Sequence, residues 1–206
     1  MALNNVTTGF PKSVIPDSDL TQYTLTDPDG RISNIIESSY DANLQEGAND
    51  VSRLYRQIDP TSYRWVFDIT VLNDEVAGEQ AAFGWSTEDN EVFVNVSTFI
   101  GIRVLTDGGD RLFDICDADA SPTSRDEMIA NYSVNTTYTI QLDFNLDGGE
   151  LTATVFNGES EEGSATRSFD QNLQWEYNYA HMAAGADFSG PGSLEYDFEN
   201  NQTSSL

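Results

Sequence analysis

Three carboxylates near the end of the chain have a spacing that could support acid–base chemistry. Glu195, Asp197 and Glu199 alternate with apolar residues, and successive side chains of a strand point to opposite faces. On one face, one carboxyl could donate a proton while another acts as an ionised base or nucleophile. Because 35 of the 206 residues are Asp or Glu, composition alone also produces alternate acids, and we expect a solvated strand face here.

Two acidic segments are candidates for binding a hard cation, and calcium is the one candidate cofactor. The first supplies the oxygen ligands that calcium prefers: Asp114, Asp117, Asp119 and Ser121. The second, residues 143–148, begins like an EF-hand loop, but Thr154 stands where that loop requires a bidentate Glu. We therefore expect a hairpin turn at 143–148, and loop carboxylates in so acidic a chain need no ion to account for them.

Aromatic residues late in the chain could bind a sugar. Trp175, Tyr177 and Tyr179 share strand parity, and two or three exposed rings on one face can stack against sugar rings. The alternative is that they pack in the core, where large aromatic side chains usually lie. We expect core packing and keep the three residues as candidate ligand contacts.

The remaining reactive residues do not form a recognisable catalytic set. His181 is the single histidine, and no Ser or Cys lies in a recognisable nucleophile elbow. A structural role is therefore expected for His181. Cys116 is the single cysteine, so it cannot form an internal disulfide and is expected to be a small buried residue.

Five Asn-x-Ser/Thr sequons could accept an N-linked glycan. They begin at Asn5, Asn95, Asn131, Asn135 and Asn201. A chain rich in Asn and Thr contains some sequons by chance, so the motif alone does not imply glycosylation.

Short alternating runs separated by Gly, Asp and Asn clusters predict a chain made of β-strands. The clearest runs are 64–72, 138–144 and 151–157, and the last two should form a hairpin. Further strands are expected at 20–25, 31–36, 51–56, 80–85, 91–96, 99–105, 111–117, 165–170, 178–184 and 193–199. One helix of about two turns is expected after Ser124, with Glu127 completing a capping box.

These elements predict an all-β fold, a two-sheet antiparallel β-sandwich of the jelly-roll type. Residues 1–19 contain two prolines and no periodicity, so we expect an extended N-terminal arm that acts in assembly. Residues 20–206 should form one domain.

The charge of the chain indicates its environment. Its net charge is −26, and Lys12 is its single lysine. Such a surface repels itself in dilute salt and is screened in brine, so we expect adaptation to high salt. The scattered arginines argue against nucleic acid as a partner. No apolar stretch is long enough to cross a membrane, and no signal peptide is visible.

The order of these segments resembles the concanavalin A-like lectin and glucanase superfamily, the laminin-G-like jelly rolls, over about residues 20–200. The segments that carry it are 27–35, 53–72, 99–117, 137–158 and 192–200. The resemblance extends to the E-x-D-x-E strand of laminarinase-type hydrolases. It implies Glu195 as nucleophile and Glu199 as acid/base, with Asp197 between them. In those enzymes the motif lies mid-chain on a central strand, whereas here it lies close to the chain end.

Two functional hypotheses follow. The first is a non-enzymatic surface module of a halophilic assembly, such as a virion decoration, turret or tail-spike protein of a haloarchaeal virus. Its partners would be copies of itself, other structural proteins or a host surface glycan, and its location the virion or the cell exterior. The second is an extracellular carbohydrate-binding domain or a retaining glycoside hydrolase.

Overall fold

Strands dominate this chain because its apolar residues recur at every second position. The structure is a computed structural model, and it describes residues 19–28, 30–45, 51–74, 80–89, 99–107, 110–117, 127–184 and 193–206. The strands are β1 Thr24–Thr26, β2 Ile32–Ile36, β3 Ser39–Gln45, β4 Val51–Gln57, β5 Tyr63–Asp74, β6 Gln80–Ser86, β7 Phe99–Asp107, β8 Asp110–Asp117, β9 Glu127–Asn131, β10 Thr137–Asn145, β11 Glu150–Asn157, β12 Ser160–Ser168, β13 Tyr177–Ala184 and β14 Ser193–Ser205. None of the described segments is a helix long and apolar enough to cross a membrane.

The strands form two antiparallel sheets of seven strands each, which confirms the predicted sandwich. The first sheet has the order β1-β4-β13-β6-β7-β8-β9. The second sheet has the order β12-β11-β10-β5-β14-β3-β2. The last strand of the chain, β14, therefore lies inside its sheet between β5 and β3.

The core lies between the two sheets and contains the residues that the alternation predicts. In β5 the odd-numbered residues from Tyr63 to Val71 are buried. Strand β10 pairs with β5 so that Ile140 lies opposite Phe67 and Leu142 opposite Trp65. The residues predicted to be buried are all buried: Trp65, Phe67, Ile69, Tyr138, Ile140, Leu142 and Val155.

Residues 146–149 form the turn of the predicted hairpin between β10 and β11. Gly149 has a φ of +64°, a conformation that glycine adopts without steric cost. The side-chain oxygen Oδ1 of Asn145 accepts a hydrogen bond from the Gly148 amide at 3.0 Å. The EF-like start of this segment is therefore a hairpin turn.

The helix expected after Ser124 is wrong for the residues described there. Glu127–Asn131 is strand β9, which pairs with β8 and places Ala130 opposite Phe113. Ile129 and Ala130 are buried. Because tertiary pairing and burial outweigh the small helix propensity of a two-turn segment, the local capping signal does not decide the structure.

Other element boundaries also differ from the expectation. Leu20–Gln22 is a 3-10 turn capped by Asp19, and strand begins only at Thr24. Strand β3 was not predicted, and the strand expected at 165–170 lies at Ser160–Ser168 instead. The expected strand at 91–96 and the N-terminal arm up to residue 18 lie outside the described residues.

The first sheet carries a second apolar cluster on the face that points away from the main core. Its buried members are Ala82, Phe99, Cys116, Tyr179 and Met182. Gly84 and Gly101 lie opposite each other beneath the ring of Phe99. A Cβ at Gly84 would come within 2.2 Å of the Ile100 carbonyl oxygen, so the close approach requires glycine there.

Candidate functional site

The three carboxylates of β14 lie on the outer face of the second sheet. Leu194, Tyr196 and Phe198 are fully buried. Glu195 and Asp197 are partly exposed and Glu199 is exposed. The predicted alternation is therefore correct, and pairing with β3 and β5 makes this acidic face part of a central strand.

Glu195 and Asp197 line a depression of about 220 Å³ together with Ser33, Asp41, Ala42, Asn43 and Leu72. Asn43 donates a hydrogen bond from Nδ2 to Oε1 of Glu195 at 3.0 Å. Asp197 lies directly opposite Asp41 of β3. Partial burial raises the pKa of Asp197, and the charges of Asp41 and Glu199 raise it further.

Only one of the two Glu side chains to which the resemblance assigns acid–base roles lines this depression. The depression contains Glu195 and Asp197, and Glu199 is not among its lining residues. The carboxyl with a raised pKa is that of Asp197, the middle residue of the three. Retaining hydrolysis needs a protonated acid and an ionised nucleophile at the same glycosidic bond.

A pair of tyrosines lies on the outer face of the first sheet. Tyr55 of β4 and Tyr177 of β13 are the partly exposed members among the nine tyrosines, and the other seven are buried. Their ring centroids are 6.2 Å apart in an edge-to-face contact. Tyr55 also stacks on Tyr179 at 5.4 Å, and the Tyr179 hydroxyl donates to the Glu88 carbonyl oxygen at 2.7 Å. The pair is therefore supported by a buried, hydrogen-bonded ring.

Polar side chains surround this tyrosine pair. Gln57 lies opposite Tyr177 and donates from Nε2 to Oε2 of Glu176 at 2.9 Å. The guanidinium carbon of Arg53 lies 6.0 Å from the centre of the Tyr55 ring. Partial burial and the nearby carboxylates of Asp89 and Glu176 raise the pKa of Tyr177. The site combines an apolar ring face with an amide, a carboxylate and a guanidinium.

Only one of the three predicted aromatic contacts belongs to this surface as an accessible ring. Tyr177 is partly exposed, whereas Trp175 is 3% exposed and Tyr179 is fully buried. Trp175 donates from Nε1 to the Asp170 carbonyl oxygen at 2.9 Å. Tyr55, the partner of Tyr177, was not predicted from the sequence. The alternation in segment 53–57 could have identified Tyr55 as an outward-facing residue, but the strand pairing that joins it to β13 is not visible in the sequence.

The carboxylates of the first candidate cation site do not meet among the described residues. Asp114 is fully buried, and its two oxygens accept hydrogen bonds from Nε and Nη2 of Arg103 at 2.7 and 2.6 Å. Asp117 ends β8, and Asp119 and Ser121 lie outside the described residues. In the part of the chain that the structure describes, no group of three or more His, Cys, Asp or Glu could hold a metal. A calcium site there stays a prediction.

In the second candidate cation segment, residues 143–148, the Asp143 carboxylate also bonds to a protein side chain. Both oxygens of Asp143 accept hydrogen bonds from Arg64, at 2.6 and 2.8 Å. This pair lies on the partly exposed face of β10 and β5. Asp143 therefore serves a cross-strand ion pair.

His181 lies inside the sandwich, in a hydrogen-bonded network that joins the two sheets. Its Nε2 contacts the Ser52 hydroxyl at 2.6 Å, and its Nδ1 contacts the Tyr196 hydroxyl. The Tyr40 hydroxyl lies 3.4 Å from that of Tyr196 and donates to the Ala180 carbonyl oxygen at 2.8 Å. Complete burial lowers the pKa of His181 to about 3. The ring is neutral and inaccessible to substrate, as a structural role requires.

Comparison with known proteins identifies the fold class. No family model and no curated protein matches the chain. Solved structures do match it, and they share its two-sheet jelly-roll β-sandwich fold, which agrees with the fold expected from the sequence.

Three similar structures illustrate this class. A legume lectin-like domain from Entamoeba histolytica is 13% identical, with a TM-score of 0.65 and coverage of 95% of both chains. Peanut lectin is 11% identical, with a TM-score of 0.58, covering 88% of this chain and 96% of the lectin. The alginate lyase Aly36B is 12% identical, with a TM-score of 0.56, covering 96% of this chain and 94% of the lyase. The structures with a similar fold therefore include lectins and an alginate lyase.

Proposed function

We propose that this chain is a non-enzymatic glycan-binding module that acts on a surface exposed to high salt. The observation that carries this proposal is the pairing of the two accessible tyrosines, Tyr55 and Tyr177, on the outer face of the first sheet. The similar lectin structures support the same class of function.

The tyrosine pair has the physical properties of a sugar platform. The C–H groups of a pyranose ring form an apolar face that packs against an aromatic ring, while its hydroxyl groups need hydrogen-bond partners. Gln57, Glu176 and Arg53 provide an amide, a carboxylate and a guanidinium beside the rings. The contact of Tyr55 with buried Tyr179 limits the motion of the Tyr55 ring before a ligand binds. This lowers the entropic cost of association.

The non-enzymatic part of the proposal rests on the acidic face of β14. Its three carboxylates lie on an open sheet face, and Glu199 lies outside the depression that contains Glu195 and Asp197. General acid catalysis by Glu195 or Glu199 would need a pocket that excludes water and keeps one carboxyl protonated. The described residues supply such a pocket to neither Glu.

At the level of the assembly, we propose a virion decoration, turret or tail-spike role in a haloarchaeal virus. The net charge of −26 favours brine, and a glycan-binding module on a virion would recognise a host surface. Electron microscopy of the native assembly with a labelled antibody against this chain tests the placement. Label confined to a cellular fraction would contradict it.

The glycan proposal is tested by binding measurements on variants of the tyrosine pair. A neutral and acidic glycan array probed in 2 M KCl identifies a ligand, and calorimetry then measures its affinity for wild type, Tyr55→Ala and Tyr177→Ala. Loss of one stacking ring should weaken binding at least tenfold. Phe156→Ala is the matched control, because Phe156 is a partly exposed aromatic residue of β11 in the other sheet.

Unchanged affinity in both tyrosine variants would reject this surface as the binding site, and an array without any ligand would reject the function. A reducing-sugar assay on laminarin, agar, carrageenan and host-envelope glycans tests for catalysis. Turnover that Glu195→Gln or Glu199→Gln abolishes would establish a glycoside hydrolase instead.

A further inference from the structure

The structure separates the described Asn-x-Ser/Thr sequons into accessible and inaccessible ones. Three of them lie on described residues, at Asn131, Asn135 and Asn201. Asn131 and Asn135 are exposed, whereas Asn201 is 2% exposed. A glycosylated asparagine in a folded protein must direct its side-chain nitrogen into solvent, because the glycan is bulky and hydrophilic.

Asn201 cannot meet this requirement. Its side-chain oxygen accepts a hydrogen bond from Nε1 of Trp65 at 2.6 Å inside the core. Trp65 is fully buried and Asn201 is 2% exposed, so a glycan on the Asn201 side-chain nitrogen would force a bulky polar group among the aromatic residues. The Asn201 side chain therefore serves core packing and is not an acceptor for a glycan.

We propose that Asn135 is an N-glycosylation site of this protein. Asn135 lies in the exposed turn between β9 and β10, with a φ of +58°. Its backbone N–H donates to the Val71 carbonyl oxygen at 2.7 Å, which holds the turn in place. Its side chain makes no hydrogen bond within the described part of the chain, so attachment of a sugar costs no contact seen there.

Asn131 is the weaker acceptor of the two exposed sequons. It is the last residue of β9 and lies opposite Leu112 of β8. The residue that follows it, Tyr132, is buried and donates its backbone N–H to the Arg111 carbonyl oxygen at 3.1 Å. A transferase that must bend the acceptor backbone around the asparagine would have to break this strand pairing at Asn131, whereas Asn135 already lies in a turn.

The modification is a glycosyl transfer from a polyprenol-linked sugar phosphate or pyrophosphate. The side-chain nitrogen of Asn135 forms a bond to the anomeric carbon, the bond from that carbon to the phosphate oxygen breaks, and the nitrogen loses one proton. No oxidation or reduction takes place. This proposal depends on the proposed exterior location of the chain, because the sugar donor and its transferase act on exported proteins.

A glycan at this position would leave the tyrosine pair open. Strand β9 is the edge of the first sheet, four strand positions from β13. At about 4.8 Å per strand, β9 and β13 are roughly 19 Å apart across the sheet, and Asn135 lies beyond the end of β9, held to Val71 of β5 in the second sheet. Glycosylation and sugar binding can therefore be tested independently.

The test is glycopeptide mass spectrometry of the full chain, exported behind a host signal peptide from a haloarchaeal host with active N-glycosylation, alongside a host glycoprotein as positive control. We expect a hexose-containing mass on the peptide that spans Asn131 and Asn135. Asn135→Gln should remove this mass, Asn131→Gln should retain it, and the peptide containing Asn201 should be unmodified.

Absence of the mass while the control protein is glycosylated would overturn the proposal, as would a glycan that survives in Asn135→Gln. Glycan binding is measured on the same Asn135→Gln protein. Retained binding with a lost glycan mass separates this proposal from the proposed function, and a failed binding array leaves the mass result standing.

Discussion

Lowering the pH should lower the unfolding free energy of this protein through the titration of His181. The imidazole is fully buried between the sheets and hydrogen-bonded to Ser52 and Tyr196. Burial lowers its pKa from 6.5 to about 3. Because the folded pKa lies below the unfolded one, the unfolded chain binds the proton more readily, and stability falls as the pH drops from 6.5 toward 3.

The size of this effect follows from the shift. Each pH unit below 6.5 removes about 1.4 kcal/mol of unfolding free energy, so His181 costs about 2 kcal/mol at pH 5 and about 4 to 5 kcal/mol at pH 3. Well above pH 6.5 the ring is neutral in both states, and its contribution does not change with pH.

The assay is urea unfolding in 2 M KCl between pH 7.5 and pH 4.5, followed by fluorescence of the three buried tryptophans. High salt limits the change in charge repulsion as the carboxylates titrate. His181→Gln is the comparison, because an amide can still hydrogen-bond but does not titrate. We expect the difference in unfolding free energy between the two proteins to shrink by about 2 kcal/mol from pH 7.5 to pH 5.

A difference that stays constant with pH would refute the reasoning. If His181→Gln does not fold, the imidazole proton signals of the wild type provide the same test by NMR. Signals that titrate near pH 6.5 in the folded protein would show that the ring is accessible, whereas signals that stay constant down to pH 4.5 would agree with the buried position.

Three further predictions concern the packing and the charges. Phe67→Ala and Leu142→Ala should each lower the unfolding free energy by roughly 2–5 kcal/mol, measured by urea unfolding, because both side chains are fully buried; a cost well under 1 kcal/mol would contradict the core assignment. Asp114→Asn should cost about 3–5 kcal/mol by leaving Arg103 charged and buried, whereas Asp143→Asn at the partly exposed Arg64 pair should cost about 1 kcal/mol or less; equal costs would show that burial does not set the strength of these pairs. The melting temperature should rise between 0.1 and 2 M KCl, because the net charge of −26 is screened only at high salt, and a flat or falling curve would exclude adaptation to brine.

Alternation along the strands could be predicted from the sequence because it depends on local geometry alone. The apolar faces of β5, β10 and β14 follow from the two-residue period, and the hairpin at 146–149 follows from its Gly and Asp content. The local signal failed at β9. There the capping residues favour a helix, but pairing with β8 and burial of Ile129 determine a strand.

The candidate sites depend on contacts between distant residues, which a single sequence does not contain. Tyr55 and Tyr177 are 122 positions apart and meet because β4 pairs with β13. Asp114 looks like a loop ligand in the sequence, but the register of β7 and β8 places it against Arg103. Trp175 and Tyr179 have the spacing of an exposed platform and are buried by the packing around them.

Strand β14 shows most clearly which properties follow from the sequence and which depend on the tertiary structure. The sequence by itself determined the charge of the chain, the β class, the buried residues of the main strands and the common face of Glu195, Asp197 and Glu199. It could not determine that β14, close to the chain end, lies inside the second sheet between β5 and β3. Composition and alternation are local properties, whereas the place of a strand in a sheet is decided by the hydrogen bonds and side chains of strands far away in the chain.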